Sequence, residues 1–231
     1  SMNVYVCGIT LSDSNIATSG TYLSNITVPG NSSSFLVKFD SLGFRKWGTY
    51  YGYNLISLED CEVDDNGHIY ITGQTGDDTL IATNGSHQDT RVNVNDVLLA
   101  KFNDLGQLEW GTYYGGNDDD RSYFVNVDQF DNVFISGHTN SSNNLSTPNT
   151  HQVSLAGNRD CFVAKFNQSG IRQWGSYFGG SGDEFIGAHS IDDSSIVYLC
   201  GFSYSTSGIS TTGSFQPNSA GSSEIFLAKY I

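Results

Sequence analysis

Charged side chains and long apolar runs are what this sequence has least of. Asp, Glu, Lys and Arg together make up only 15% of the 231 residues. Long amphipathic helices favour Ala, Leu, Glu and Lys, so a shortage of Lys and Glu speaks against a helical protein. No apolar stretch approaches the roughly 20 residues of a membrane-spanning helix, and no membrane insertion is expected. Basic residues are the scarcer sign: 10 Lys and Arg stand against 24 Asp and Glu, a net charge of −14. Such a field repels phosphate backbones and anionic lipid, so nucleic acid is not an expected partner. Low charge density with excess acid suits an exported protein, and a secreted or cell-surface location is expected. Ser1-Met2 reads as a start left by cloning, so the missing signal peptide carries no information on export.

Cysteine is also sparse. Cys7, Cys61, Cys161 and Cys200 show no C-x-x-C spacing. Cys7 and Cys200 precede Gly8 and Gly201 where Thr72 and Ser136 precede the matching glycines. Exchange among small residues favours buried free thiols over a disulfide or zinc. The motifs G-x-S-x-G and H-E-x-x-H and a phosphate-cradling glycine loop are missing, and no catalytic residue or cofactor is assigned. A carboxylate pair for glycoside hydrolysis leaves no trace in sequence, so a hydrolase remains one alternative.

What the chain does have is 14 Phe, 13 Tyr, 3 Trp and 26 Gly, with Ser, Thr and Asn filling the loops. Aromatic residues supply enough area for a core. They also recur with a fixed period. Trp47, Trp110 and Trp174 are 63 and 64 residues apart and open the phrases WGTYYG, WGTYYGG and WGSYFGG. Gly8, Gly73, Gly137 and Gly201 keep spacings of 65, 64 and 64, and Lys38, Lys101, Lys165 and Lys229 keep 63, 64 and 64. Internal repeats of this length signal a repeat architecture.

Each full unit reads as four short strands, in the second copy 58–64, 68–75, 96–102 and 107–114. Tight hairpins are marked by Asp65-Asn66-Gly67 and by Asn103-Asp104-Leu105-Gly106. The third strand, FLVKF, LLAKF, FVAKF or FLAKY, is apolar on both faces and is therefore expected to be covered on both. Radially stacked small sheets provide that cover. The expected fold is all-β, a β-propeller of four-stranded antiparallel blades over residues 1–231, with repeats at about 2–52, 53–116, 117–180 and 181–231. The recurring Lys is expected to bury its stem between blades and lift its ammonium toward Asp64, Asp128 or Asp192. The chain opens on a second strand (3–10) and closes on a third (224–231), giving three, four, four and three strands. A longer ring, closure on thinned end blades, and joining of copies all accommodate the incomplete end blades; their free edges favour self-association.

These phrases resemble the SBBP (seven-bladed β-propeller) repeats of bacterial exported and surface proteins. The resemblance is carried by 132–139 (NVFISGHT), Asp160–Phe166 and Trp174–Gly180, and more loosely by the other copies. It implies a scaffold, export and surface display, and names no activity. The repeats often carry an Asp soon after Gly-Gly. Asp119 and Asp183 fit, whereas Gly52-Tyr53 is followed by Ile56, so a calcium site built on that Asp is missing from at least one blade.

Asp118, Asp119, Asp120, Asp183 and Glu184 are the candidate calcium ligands, since Ca²⁺ takes six to eight oxygens. They lack a D-x-D-x-D-G spacing, and solvated turn carboxylates are the competing reading. His87 and His151 share one repeat position, which holds Tyr22 and Phe215 in the other copies, so it asks for a flat ring and not for a metal ligand. Six Asn-x-Ser/Thr triplets, at Asn25, Asn31, Asn84, Asn140, Asn144 and Asn167, are near what the composition yields. The expected function is a non-catalytic scaffold binding protein or glycan through loops that differ most between copies. A multisite lectin and a hydrolase at the channel mouth are the alternatives.

Overall fold

A computed structural model describes residues 3–26, 32–53 and 56–231, so Asn31 lies outside the described residues. The described residues form 14 strands and no helix. Sheet I contains β1 (Val4–Thr10), β2 (Ser33–Phe39) and β3 (Arg45–Tyr51). Sheet II contains β4 (Ile56–Val63), β5 (Ile69–Thr75), β6 (Asp96–Phe102) and β7 (Leu108–Tyr114). Sheet III contains β8 (Asp120–Val127), β9 (Val133–Thr139), β10 (Asp160–Phe166) and β11 (Arg172–Phe178). Sheet IV contains β12 (Glu184–Ile191), β13 (Val197–Ser203) and β14 (Glu224–Tyr230). Each sheet is antiparallel and laid down in chain order, so neighbours in sequence are neighbours in space.

Both kinds of hairpin close on an Asp or Asn side chain. Asp64 Oδ1 accepts the Asn66 and His68 amides, and Asp128 and Asp192 repeat this in sheets III and IV. Asp40, Asn103 and Asn167 do the same for the other hairpin. Such side-chain turns explain why Asp and Asn recur at the corners. A bulge in the first strand of sheets II, III and IV drives a carbonyl toward the recurring glycine of the second. A β-carbon at Gly73, Gly137 or Gly201 would collide with the carbonyl oxygen of Ser57, Arg121 or Phe185. Close backbone approach therefore fixes that glycine.

Successive sheets pack face to face. Leu36, Trp47 and Tyr51 of sheet I meet Ile69, Ile71, Leu98 and Phe102 of sheet II. Tyr70, Leu99 and Tyr114 on the other face of sheet II meet Val133, Ile135, Phe162 and Phe166. Phe134, Val163 and Phe178 then meet Val197, Leu199 and Phe226. Tryptophan staples the first two junctions: Trp47 Nε1 donates to Asp104 O at 2.8 Å and Trp110 Nε1 to Gln168 O at 3.0 Å. Among the described residues, the substantial strand-to-strand contacts between sheets all join consecutive sheets.

Cover decides burial. β6 is buried at all seven positions, whereas the matching β14 is buried only at Phe226. Val4 is 53% exposed and Leu227 78%, although their counterparts Ile69 and Leu99 are fully buried. The recurring Lys is buried as expected at Lys38 and Lys101, half-buried at Lys165 and exposed at Lys229, and its head departs from the expectation. Its ammonium lies over a ring of the second strand, 5.5 Å from Tyr5, 5.4 Å from Tyr70, 5.1 Å from Phe134 and 5.8 Å from Tyr198. Lys38 pairs with Asp104 and Lys101 with Glu109, not with Asp64 or Asp128. The Asp64 and Asp128 carboxylates are already taken by their own turns, by His68 and by Asn132.

Leu99 and Leu227 hold one repeat position in opposite surroundings. Truncating Leu99 to Ala is expected to destabilise by about 2–5 kcal/mol. The same change at Leu227 is expected to stay within about 0.5 kcal/mol. Urea unfolding of the two variants checks this, and equal losses would contradict the packing.

Candidate functional site

Antiparallel order sends the long second-to-third connections and the links between sheets to one end of the molecule. The Asp- and Asn-capped hairpins lie at the other. At the long-loop end the acidic candidates separate into two kinds. Asp118 and Asp119 belong to the surface: Asp119 accepts from Arg121 Nε at 2.8 Å and from Asn95 Nδ2 at 2.7 Å. Asp183 is half-buried, and its carbonyl accepts the Tyr204 amide. Asp120 and Glu184 are not in loops; they open β8 and β12 and are fully buried. Asp120 accepts from Gly116 N, Thr139 Oγ1 and Ser141 Oγ. Glu184 accepts from Gly180 N, Ser203 Oγ and Ser205 Oγ. These donors occupy the carboxylate oxygens by hydrogen bonding. No group of three or more His, Cys, Asp or Glu placed to hold a metal ion occurs among the described residues.

A second buried carboxylate stands beside each. A β-carbon at Gly115 would lie 2.7 Å from the Asp96 carboxyl carbon and 2.8 Å from Asp120 Oδ2. Asp160 and Glu184 flank Gly179 in the same way. The matching positions at the first junction are Ser33 and Ile56, so the acids come as pairs or not at all. Asp96 and Asp160 take a glutamine amide each, from Gln88 at 2.9 Å and Gln152 at 2.7 Å, which locks the long loop to the third strand. Asp96 Oδ1 is buried with no partner. Burial, and secondarily the Asp96 charge, pushes the Asp120 pKa up to about 7 despite its hydrogen bonds. Ser141 Oγ has one proton and two acceptors, Asp120 Oδ2 at 2.8 Å and Asp118 O at 3.1 Å. It can therefore turn and accept when Asp120 is protonated.

The ring slot is built between sheets. Tyr22 packs on Tyr51 and Phe102, His87 on Tyr114 and Phe166, and His151 on Phe178 and Tyr230. Burial, helped by Arg172, lowers the His87 pKa to about 4. Phe215, the fourth member, is 103% exposed because neither wall of its slot is present. Two further histidines carried no repeat signal. His138 packs on Tyr123 and Phe185, and His189 meets Ser136 Oγ at 2.9 Å; burial lowers both to about 4. The Cys7 and Cys61 thiols share a hydrogen bond across the first junction, which lowers the Cys7 pKa and raises that of Cys61. The four cysteines are free.

One large open groove, of about 1330 Å³, runs beside β14. Residues of the loop 204–223 line it together with Trp174 and Tyr230. Neither a scan of protein-family models nor a search of curated proteins matches the chain, so the likeness to SBBP repeats stands on its phrases alone.

The carboxylate pair has a signature in pH. Asp120 holds its proton up to about pH 7 when folded and only to about 3.8 when unfolded. Its contribution to stability is therefore full below pH 3.8 and is lost as pH rises toward 7. The depressed histidines act with the opposite sign between 6.5 and about 4. Subtracting the unfolding free energies of Asp120→Asn from those of the parent across pH 4–8 isolates the carboxyl. The difference is expected to shift against the parent as pH rises through this window; a flat difference contradicts the assignment.

Proposed function

We propose that the chain is a β-propeller scaffold, part of an exported or surface protein of the SBBP kind, that presents its long loops to a protein or glycan partner without catalysis of its own. One observation carries this reading. The polar and titratable groups that repeat are consumed in holding sheets and loops together: the carboxylates grip glutamines and hydroxyls, the lysines lie on rings, and the histidines fill ring slots. What changes between copies is the exposed part of the loops, including Val92, Val94 and Val153. A fixed frame with variable tips is the arrangement expected of a display scaffold. The propeller geometry is supported by the first strands, since β4 packs on β8 and β8 on β12 as strands converging on an axis do. An acidic surface favours partners that are neutral or basic.

Loops 76–95 and 140–159 have equal length and the same Thr, Gln and carboxylate anchors. Replacing 76–95 by the sequence of 140–159 is expected to leave the melting temperature within about 4 °C, the effect of roughly 1 kcal/mol at this size. Binding to a glycan array or to a basic protein panel is expected to change with the exchange. Loss of cooperative folding would contradict the division into frame and tips.

A further inference from the structure

The third strand of sheets I, II and III is paired on both sides, its outer neighbour being the Trp-Gly strand. β14 pairs with β13 alone, and the groove lies along its free edge. The geometry points to this groove as a binding site for an extended peptide of sequence Trp-Gly-Thr/Ser-Tyr-Tyr/Phe-Gly, taken up as an antiparallel fourth strand of sheet IV.

Three filled copies of the site specify the ligand. The amides of Thr18, Thr83 and Thr147 donate to the carbonyls of Gly48, Gly111 and Gly175 at 2.8, 2.9 and 2.9 Å. The amides of Tyr50, Tyr113 and Tyr177 donate to the carbonyls of Leu23, Gln88 and Gln152 at 3.0, 3.0 and 3.1 Å. The hydroxyl between them, on Thr49, Thr112 or Ser176, accepts from the amide of Leu23, Gln88 or Gln152. Gly115 and Gly179 then donate to the side-chain oxygens of Gln88 and Gln152. In the empty copy Thr211 and Gln216 stand at these loop positions.

Selectivity follows from the walls. The second ligand residue must be glycine, because a β-carbon at Gly48, Gly111 or Gly175 would run into the carbonyl oxygen of Ile16, Ile81 or Leu145. Ile209 is the matching residue. The fifth must be aromatic: the rings of Tyr51, Tyr114 and Phe178 lie 6.1, 6.2 and 6.1 Å from the slot residue. Phe215 waits there, uncovered. The first is Trp in every filled copy and is set opposite the recurring Lys, here the exposed Lys229.

The empty loop already has the filled shape. Asn15, Leu80 and Asn144 take φ of 66, 59 and 66°, and Gly208 takes 92°. Gly20, Gly85 and Asn149 take 87, 78 and 67°, and Gly213 takes 84°. Ser210 Oγ donates to Pro217 O at 2.6 Å as Ser146 Oγ does to Val153 O at 2.7 Å. A site held in its bound shape loses little order on binding, and main-chain pairing with side-chain pockets is the known mode of strand addition. The three Trp-Gly strands of the described residues are already paired in sheets I to III, so none of them is left to fill the groove.

The test uses the full chain and a labelled synthetic octapeptide, Arg-Lys-Trp-Gly-Thr-Tyr-Tyr-Gly, the sequence of residues 45–52. Fluorescence anisotropy is expected to show saturable one-to-one binding. The same peptide with Gly48→Ala is expected to bind at least tenfold more weakly, and a scrambled peptide likewise. Amide exchange is expected to slow in β14 and at Thr211 on addition of the parent peptide. Absence of binding, equal binding of the Gly48→Ala or scrambled peptide, or protection confined to other strands would each overturn the assignment. Since the substitutions are made in the peptide, failure of a variant to fold cannot blur the result.

Discussion

The structure depends on one constraint: a third strand that is apolar on both faces has to be covered on both. In β6 and β10 the faces alternate between the sheet before and the sheet after, and all or nearly all positions are buried. The rest of the repeat serves that stacking. The bulge and its glycine bring the first strand close to the second, the aromatic of the second strand carries the lysine stem, and the tryptophan crosses to the next sheet. Burying seven such residues at roughly 25 cal/mol per Å² of apolar area is a far larger stabilisation than any single surface ion pair supplies. The ion pairs that the lysines make at the rim are a consequence of where the stems lie.

Covering each face with the next copy makes the ends different from the middle by necessity. The same repeat position is buried at Leu99 and exposed at Leu227, and the same ring slot is filled at His87 and open at Phe215. Residue identity therefore does not say whether a position is core or surface; its place in the array does. This separates chemistry from function at the repeat positions. Histidines held as neutral rings and carboxylates buried in hydroxyl cages look like catalytic material in a list of residues, yet each has a structural partner in the stack. The acid pairs add a polar element inside the long-loop end, where burial raises the pKa of Asp120 to about 7.

Much of this was legible in the sequence because the repeat compares the chain with itself. Fixed spacings of Trp, Gly and Lys located the strands to within two residues, and the two-faced third strand announced stacked sheets. The slot shared by Tyr22, His87, His151 and Phe215 correctly asked for a ring. Four features were not legible in that way. The lysine partners are Asp104 in the next sheet's outer hairpin for Lys38 and Glu109 on the neighbouring strand for Lys101, because Asp64 and Asp128 spend their oxygens on their own turns. The carboxylate pairs looked like loop acids, although Ser33 with Ile56 in the first copy against Asp96 with Asp120 in the second was a usable sign of contact. His138 and His189 occur once each, and a method that reads repetition passes over them. The bulges are backbone events whose only trace is the glycine opposite.

Native-state amide exchange tests the stacking most directly. The account predicts that amides of β6 and β10 exchange only on global unfolding, that β2 is close behind, and that outward-facing amides of β14 exchange many times faster. Equal protection in all four third strands of a monomeric chain, or fast exchange throughout β6, would contradict it.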